Sequence, residues 1–280
     1  MTALLASACA TSGLFWHSPG KPIPFQSASG EKIELYGRGL YRYDWAFKVP
    51  IQQGTDAVIL LIGVPLLLAL LLLAQRGSLR ARLLLVGTLA VFFYNASSTV
   101  FGIAFNPLFP VYVGYFSAAL FALILAFREL DFQEMSKQFS SAIPLRGTAI
   151  FLVIAALSTS VWLFEIVPAL LSGKAPATLG SYTTEVTAVL DWGIVAPLFL
   201  WIAISLLRRR PFAIVVAPIL TFFMVMVGVV VLGQRLMQAA QEETVTLVET
   251  GVYVLPFILL SGIGTVFLVK YLRELHPKQI

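Results

Sequence analysis

Four carboxylates stand inside or at the edges of long apolar runs: Asp56, Glu165, Asp191 and Glu249. An ionisable side chain held in lipid is costly, so one that is present is a functional candidate. Tyr94, Tyr112 and Tyr253 add hydroxyls within runs of the same kind. Asn95 adds an amide, with Ser98 and Thr99 on its face at helical spacing. Together these groups can hold a cation or the polar atoms of a small solute. Catalytic templates fail by comparison. The two histidines, His17 and His276, lie outside every apolar run, and one cysteine, Cys9, allows neither an internal disulfide nor a cysteine cluster. There is no phosphate loop and no dinucleotide fingerprint, and the outer carboxylates are the one acid–base combination on offer. The sequence leans away from an enzyme and implies no cofactor and no metal. Its ligand-binding candidates are Asp56, Tyr94, Asn95, Tyr112, Glu165, Asp191 and Tyr253.

Each candidate also has a structural use. Asp56, which follows Thr55, and Asp191 can cap helix starts at the positive end of the dipole. Asn95 and its neighbouring hydroxyls can join helices by hydrogen bonds. Glu165 shares a stripe with Ser158 and Trp162 near a span end, where it can be solvated, and Glu249 follows the polar run 241–244.

The elements that position these residues are membrane-spanning helices. Hydrophobic residues make up 59% of the 280 and charged residues only 12%, about half the usual charged share. Mean hydropathy is +0.88. Seven apolar segments, roughly 56–74, 83–105, 109–127, 148–171, 188–207, 211–233 and 247–269, each approach the roughly 20 residues that cross a bilayer as a helix. The fold class is therefore an all-α polytopic transmembrane bundle of seven helices, or eight if residues 1–16 are the stump of another. The net charge of +5 reflects cytoplasmic loops rather than a nucleic-acid surface. Arg76, Arg80 and Arg82, then Arg128, Lys137 and Arg146, then Arg208, Arg209 and Arg210, then Lys270, Arg273 and Lys278 all fall on one side, against Lys174 and Arg235 in the opposite loops. The positive-inside rule puts the N-terminal segment outside and the C-terminus in the cytoplasm.

Three regions result: 1–16, a remnant helix or signal-like segment with alanines at 6, 8 and 10 and a weak lipobox-like stretch ending at Cys9; 17–54, an extracytoplasmic cap; and 55–280, the bundle. Within the cap, alternation on either side of Gly37 and Gly39 predicts a β-hairpin over 31–44. Tyr36, Tyr41, Tyr43 and Trp45 suit the half-wet headgroup zone.

The chain also echoes itself. Asp56, Pro65 and Arg76 are followed by Asp191, Pro197 and Arg208 in like order. Val111-Tyr112-Val113 with Arg128-Glu129-Leu130 is matched by Val252-Tyr253-Val254 with Arg273-Glu274-Leu275. Two parallel three-helix units joined by the fourth helix would follow, a 3+1+3 plan like that of SWEET-type transporters, which is an analogy of plan only. Prolines 65, 197, 218 and 256 are candidate kinks.

The runs Gly37-Arg-Gly-Leu-Tyr-Arg-Tyr-Asp44, Gly54-Thr-Asp56, Val64-Pro-Leu-Leu-Leu68, Thr183-Thr-Glu-Val186 and Leu190-Asp-Trp-Gly-Ile-Val-Ala-Pro197 resemble a family of bacterial multi-pass membrane proteins. The likeness covers most of the chain after residue 30. It implies a bacterial inner (plasma) membrane and, since members tend to begin with a further hydrophobic helix, a remnant at 1–16. It brings no activity with it. The leading functional expectation is binding or transport of a small solute or ion through an outward-facing acidic and aromatic cavity. A non-transporting assembly, sensor or partner-binding protein is the second, and a membrane-embedded enzyme the third. The lipid bilayer is the one partner the sequence specifies.

Overall fold

The computed structural model describes residues 1–241 and 250–276. Seven helices in it are long and apolar enough to cross a membrane: Ala46–Gln75, Leu79–Gly102, Phe109–Arg128, Leu145–Ser172, Val186–Leu207, Pro211–Ala240 and Thr250–Arg273, called here spans 1 to 7. The chain is thus an all-α helical bundle and an integral membrane protein. Glu249 and Lys278 lie outside the described residues. A further helix, α1 (Thr2–Phe15), has 14 residues, too few to cross. It packs its small face against span 1 and span 3, with Ala6, Cys9 and Ala10 buried.

Spans 1, 4 and 6 reach further than their apolar runs. Span 1 begins ten residues before Asp56, so the expected border between cap and bundle at 54/55 falls inside a helix. The extra turns carry Gln52, Gln53 and Thr55, which hydropathy discounts. Inside the bundle they are satisfied: Gln52 reaches Asp56, Gln53 meets Gln241, and Thr55 meets Gln234. Span 6 likewise absorbs Arg235, expected in a loop, into its helix.

A single shift along the chain maps unit one (spans 1–3) onto unit two (spans 5–7) through its first two helices. Span 1 contains a wide π-turn, Ile59–Gly63, just before Pro65, and span 5 contains one, Asp191–Val195, just before Pro197. Each closes on a bond between residues five apart, from the Val64 N–H to the Ile59 carbonyl and from the Ala196 N–H to the Asp191 carbonyl. A proline ring collides with the carbonyl four residues earlier, and a locally widened helix relieves that collision. Span 7 repeats the device at Thr250–Val254 before Pro256. Pro218, by contrast, sits within the long helix of span 6. Both first spans end alike, at Arg76 and Arg208, followed by Gly77 (φ 88°) and Arg209 (φ 52°) in the left-handed region. Ser78 then bonds the Leu73 carbonyl, as Arg210 bonds that of Ser205, a Schellman-type stop.

The same shift relates the contacts between the units. Gly54 of span 1 lies against Gln234 of span 6, and their images, Val186 of span 5 and Gly102 of span 2, lie against each other. Gly87 of span 2 faces its own image, Ile219 of span 6. A pseudo-two-fold axis therefore passes between spans 2 and 6, and the units run parallel. The third helices match less well. Arg128-Glu129-Leu130 and Arg273-Glu274-Leu275 end their helices similarly, with Leu130 and Leu275 both buried. However, Tyr112 is buried within a regular helix whereas Tyr253 sits in a π-turn, so those tyrosines are not equivalent. Span 6 is central, with 67% of its apolar window buried, against 22% for span 3 and 17% for span 7.

The cap holds a hairpin, but not the expected one. Strands β1 (Ile23–Gln26) and β2 (Lys32–Leu35) pair antiparallel around a turn at 27–31. The glycine pair shapes the next loop instead. Gly37 and Gly39 take positive φ, and bonds from Tyr36 to Asp44 and from Gly37 to Arg42, with a bridge from Leu35 to Trp45, close it. At the opposite end, Arg80 donates to the Leu272 and Leu275 carbonyls and so caps span 7.

A Cβ at Gly54 would overlap the Gln234 backbone and lie 2.6 Å from the Gly233 carbonyl oxygen, whereas one at Gly193 meets nothing within 4 Å. Gly54→Ala is therefore expected to lose about 1–3 kcal/mol by overpacking, more than the roughly 1 kcal/mol alanine gains in a helix. Gly193→Ala should not destabilise. Thermal unfolding of the purified chain in detergent checks this, and equal melting points would contradict the packing described.

Candidate functional site

The carboxylates and amides buried in the bundle lie toward the cap end, in several small clusters, while the buried hydroxyls of Thr88, Thr148, Ser205 and Thr221 lie toward the other. Asp191 (8% exposed) is the first residue of the span 5 π-turn. Tyr94 of span 2 donates its hydroxyl to Oδ1 at 2.8 Å, and Trp162 of span 4 donates its indole N–H to Oδ2 at 2.8 Å. Spans 4 and 5 are both irregular here. The 3-10 turn Thr159–Trp162 faces the π-turn, and Trp192 returns a bond to the Thr159 carbonyl at 3.1 Å. The clasp is reciprocal.

Asp56 (6% exposed) forms the second cluster. Tyr41 donates to its Oδ2 at 2.6 Å, and Gln52, one turn earlier on span 1, donates to Oδ1 at 3.3 Å. Gly13 of α1 lies directly over this carboxylate, where a Cβ would overlap both Asp56 and Tyr41. Gln53 donates to the Gly13 carbonyl and accepts from Gln241. Above this layer is a cavity of about 610 Å³ between α1, the cap and spans 1 and 6, lined by Leu14, Tyr36, Arg38, Gln53, Met237 and Gln241 among others.

The two aspartates share a chemical circumstance. Each has both oxygens bonded by neutral donors, and among the described residues no Lys, Arg or His lies within ion-pair distance of either; the ion pairs there are Lys48–Glu185 and Lys137–Glu134. Neither caps a helix: Asp56 is in the eighth position of Val49–Val58, and the helix holding Asp191 starts at Val186. Nor are they equivalent under the repeat, where Asp56 maps onto Ala188 and Asp191 onto Ile59. The repeat is in the backbone break: Asp191 opens the π-turn of span 5, whereas Asp56 precedes that of span 1 by three residues.

Of the seven sequence candidates, the structure bonds one pair directly, Tyr94 with Asp191. Asn95 accepts from Tyr115 of span 3 at 3.0 Å, which joins two helices. Tyr112 accepts from Asn106 at 3.2 Å on the Asp56 side of the bundle. Glu165 accepts from Thr178 at the mouth of span 4, and Tyr253 lies in the span 7 π-turn. None of the seven lines the cavity beneath the cap. Tyr41, Trp162 and Gln52 were absent from the candidates. Tyr41 is 3% exposed rather than half wet, because its ring fills the space under the cap and its hydroxyl has a carboxylate to reach. Trp162 was visible only as a neighbour of Glu165 on a helical stripe.

Asp44, also outside the candidates, ties the cap to the bundle. It is 4% exposed, and its Oδ1 accepts from the Ala104 N–H (2.9 Å) and the Tyr182 hydroxyl (3.0 Å), joining three loops at the cap end. Among the described residues its Oδ2 is buried without a partner. Burial pushes its carboxyl up to about 7 from the usual 3.8, against the pull of those two donors. Burial and then the Asp44 charge likewise raise the Tyr182 hydroxyl. Lys48, over the Tyr182 ring at 5.1 Å and paired with Glu185 at 3.1 Å, anchors the same corner. No family model, curated protein or solved structure matches the chain.

A carboxyl whose folded-state value lies above its unfolded one stabilises the fold below the unfolded value and loses that contribution as pH rises through the folded one. Cap docking should therefore weaken as pH climbs from about 4 to about 7 and level off above. Limited proteolysis within 17–45 across this range measures it. Asp44→Asn should flatten the profile, and an unchanged profile would show that another group sets it.

Proposed function

We propose that this integral membrane protein binds and carries a small solute or ion, with Asp56 and Asp191 as the groups that meet cationic charge. What carries the reading is the pair of buried carboxylates without a cationic partner, one in each repeated unit, beside matched π-turns. An unpaired carboxylate in a low-dielectric bundle is expensive to maintain unless a proton or another cation visits it. Helices broken at corresponding places in two repeats are the arrangement by which carriers expose a site alternately to the two sides. π-turns are likewise concentrated at working sites in helices. The arginine loops orient the cap outward, and the plasma membrane of a bacterium is the location consistent with the resemblance of the chain.

The assay is flux in proteoliposomes offered a panel of monovalent cations, small organic anions and neutral solutes. The wild-type chain should move at least one of them above protein-free vesicles. Asp191→Asn or Asp56→Asn should cut that flux about tenfold or more while the protein still accumulates and melts normally. No flux above protein-free vesicles, or full flux in both variants, would refute the carrier reading. Variants that fail to accumulate would assign the two acids a structural role instead.

A further inference from the structure

We infer that Asp191 is a proton-exchange site and not a metal site, with Trp162 bonded to the exchanging group. The inference rests on the carrier reading only in that the proton would be its coupling ion. The geometry of the clasp carries it. An indole N–H can donate but cannot ligate a cation, and at 2.8 Å from Oδ2 it occupies the place a metal bound there would need. The other oxygen is taken by the Tyr94 hydroxyl at 2.8 Å. Around the clasp stand aromatic rings, among them Phe223, edge-on to Tyr94 at 5.7 Å. Hard cations require several oxygens, six or so for calcium or magnesium. One carboxylate and one phenol do not supply them, but a proton needs only a lone pair.

Among the described residues, the titratable and charged groups near Asp191 are few. Span 2 contributes Tyr94. Span 4 contributes Glu165, whose carboxylate is engaged with Thr178, and the start of span 5 contributes Glu185, which is neutralised by Lys48. Span 6 presents Phe199-facing and Tyr94-facing apolar side, with Phe223 between them. Proton uptake is balanced within the clasp. A hydronium ion delivers a proton to one carboxylate oxygen, leaving water behind, and cancels its charge. The Tyr94 O–H then rotates from donor to acceptor for the new carboxyl O–H. The Trp162 N–H stays on the other oxygen, as a neutral bond in place of a charge-assisted one. Trp162 therefore senses the charge state of Asp191 directly.

The test uses the full chain purified in detergent and needs no solute. In an Asp44→Asn background, which removes the carboxyl of the cap, infrared difference spectra between acid and alkaline samples should contain a protonated-carboxyl component that Asp191→Asn removes. Tryptophan emission should change with the same midpoint, and Trp162→Phe should remove that change while keeping the band. Tyr94→Phe, which keeps the acid and the ring, should displace the midpoint, so the inference remains testable if Asp191→Asn fails to fold. The inference is overturned if Asp191→Asn leaves the spectrum of that background unchanged, if no pH-dependent signal exists, or if sodium or calcium displaces the Asp191 component. Flux that depends on Asp191 without such a band would sink the proton site alone, and a band without any flux would sink the carrier reading alone.

Discussion

Polar groups in a lipid-facing bundle must be satisfied from within the chain, and this constraint organises the molecule. It explains why the lipid-facing surface shows residues such as Leu61, Leu68, Leu72, Phe121, Leu125 and Leu259, while the glutamines, tyrosines and aspartates turn inward. It also explains why the interior carboxylates and amides lie toward the cap. There, residues 17–45 and α1 supply partners that helices alone would not: Tyr41 for Asp56, the Gly13 carbonyl for Gln53, and Asp44 for the Ala104 N–H and Tyr182. The cap is thus part of the solvent of the bundle and not an appendage. The Asp56 carboxylate would lose its closest donor if that region lifted away.

Much of the fold was legible in the sequence, because hydropathy over about 20 residues is a strong signal. The seven spans are present, and the proline-to-arginine echo of the first and fifth corresponds to a backbone repeat precise to the residue in its turns. What sequence could not show was satisfied polarity. Gln52 and Gln53 looked like cap because polarity is satisfied by partners, and that of Gln53, Gln241, closes a helix far along the chain. The hairpin was displaced for a similar reason. Gly37 and Gly39 signal positive φ, which serves a closed loop as well as a two-stranded turn, and nothing local decides between them.

The site was legible by residue type and not by partnership. Tyr94 and Asp191 were both visible as anomalies in apolar runs, but their union depends on how spans 2 and 5 meet. Asn95, adjacent to Tyr94, turns to span 3 instead, since neighbours on a helix point about 100° apart. The Asp…Pro…Arg echo matches the two acids in order, and only its proline-to-arginine spacing is the same in both runs. The structure keeps the proline and arginine in register and sets the aspartates one turn apart, a difference that counting from each proline makes visible.

The parallel repeat has a topological consequence for span 4. A unit of three crossings starts on one face of the membrane and finishes on the other. A second copy joined directly to it would enter upside down, and no rotation about an axis normal to the bilayer would superpose the two. One additional crossing restores the parity, and Leu145–Ser172 makes it. The helix without a counterpart is therefore the one that allows the other six to be related. Having no twin, it is also free to be asymmetric, and it contributes Trp162 to one acid while the other draws its donors from the cap and its own helix.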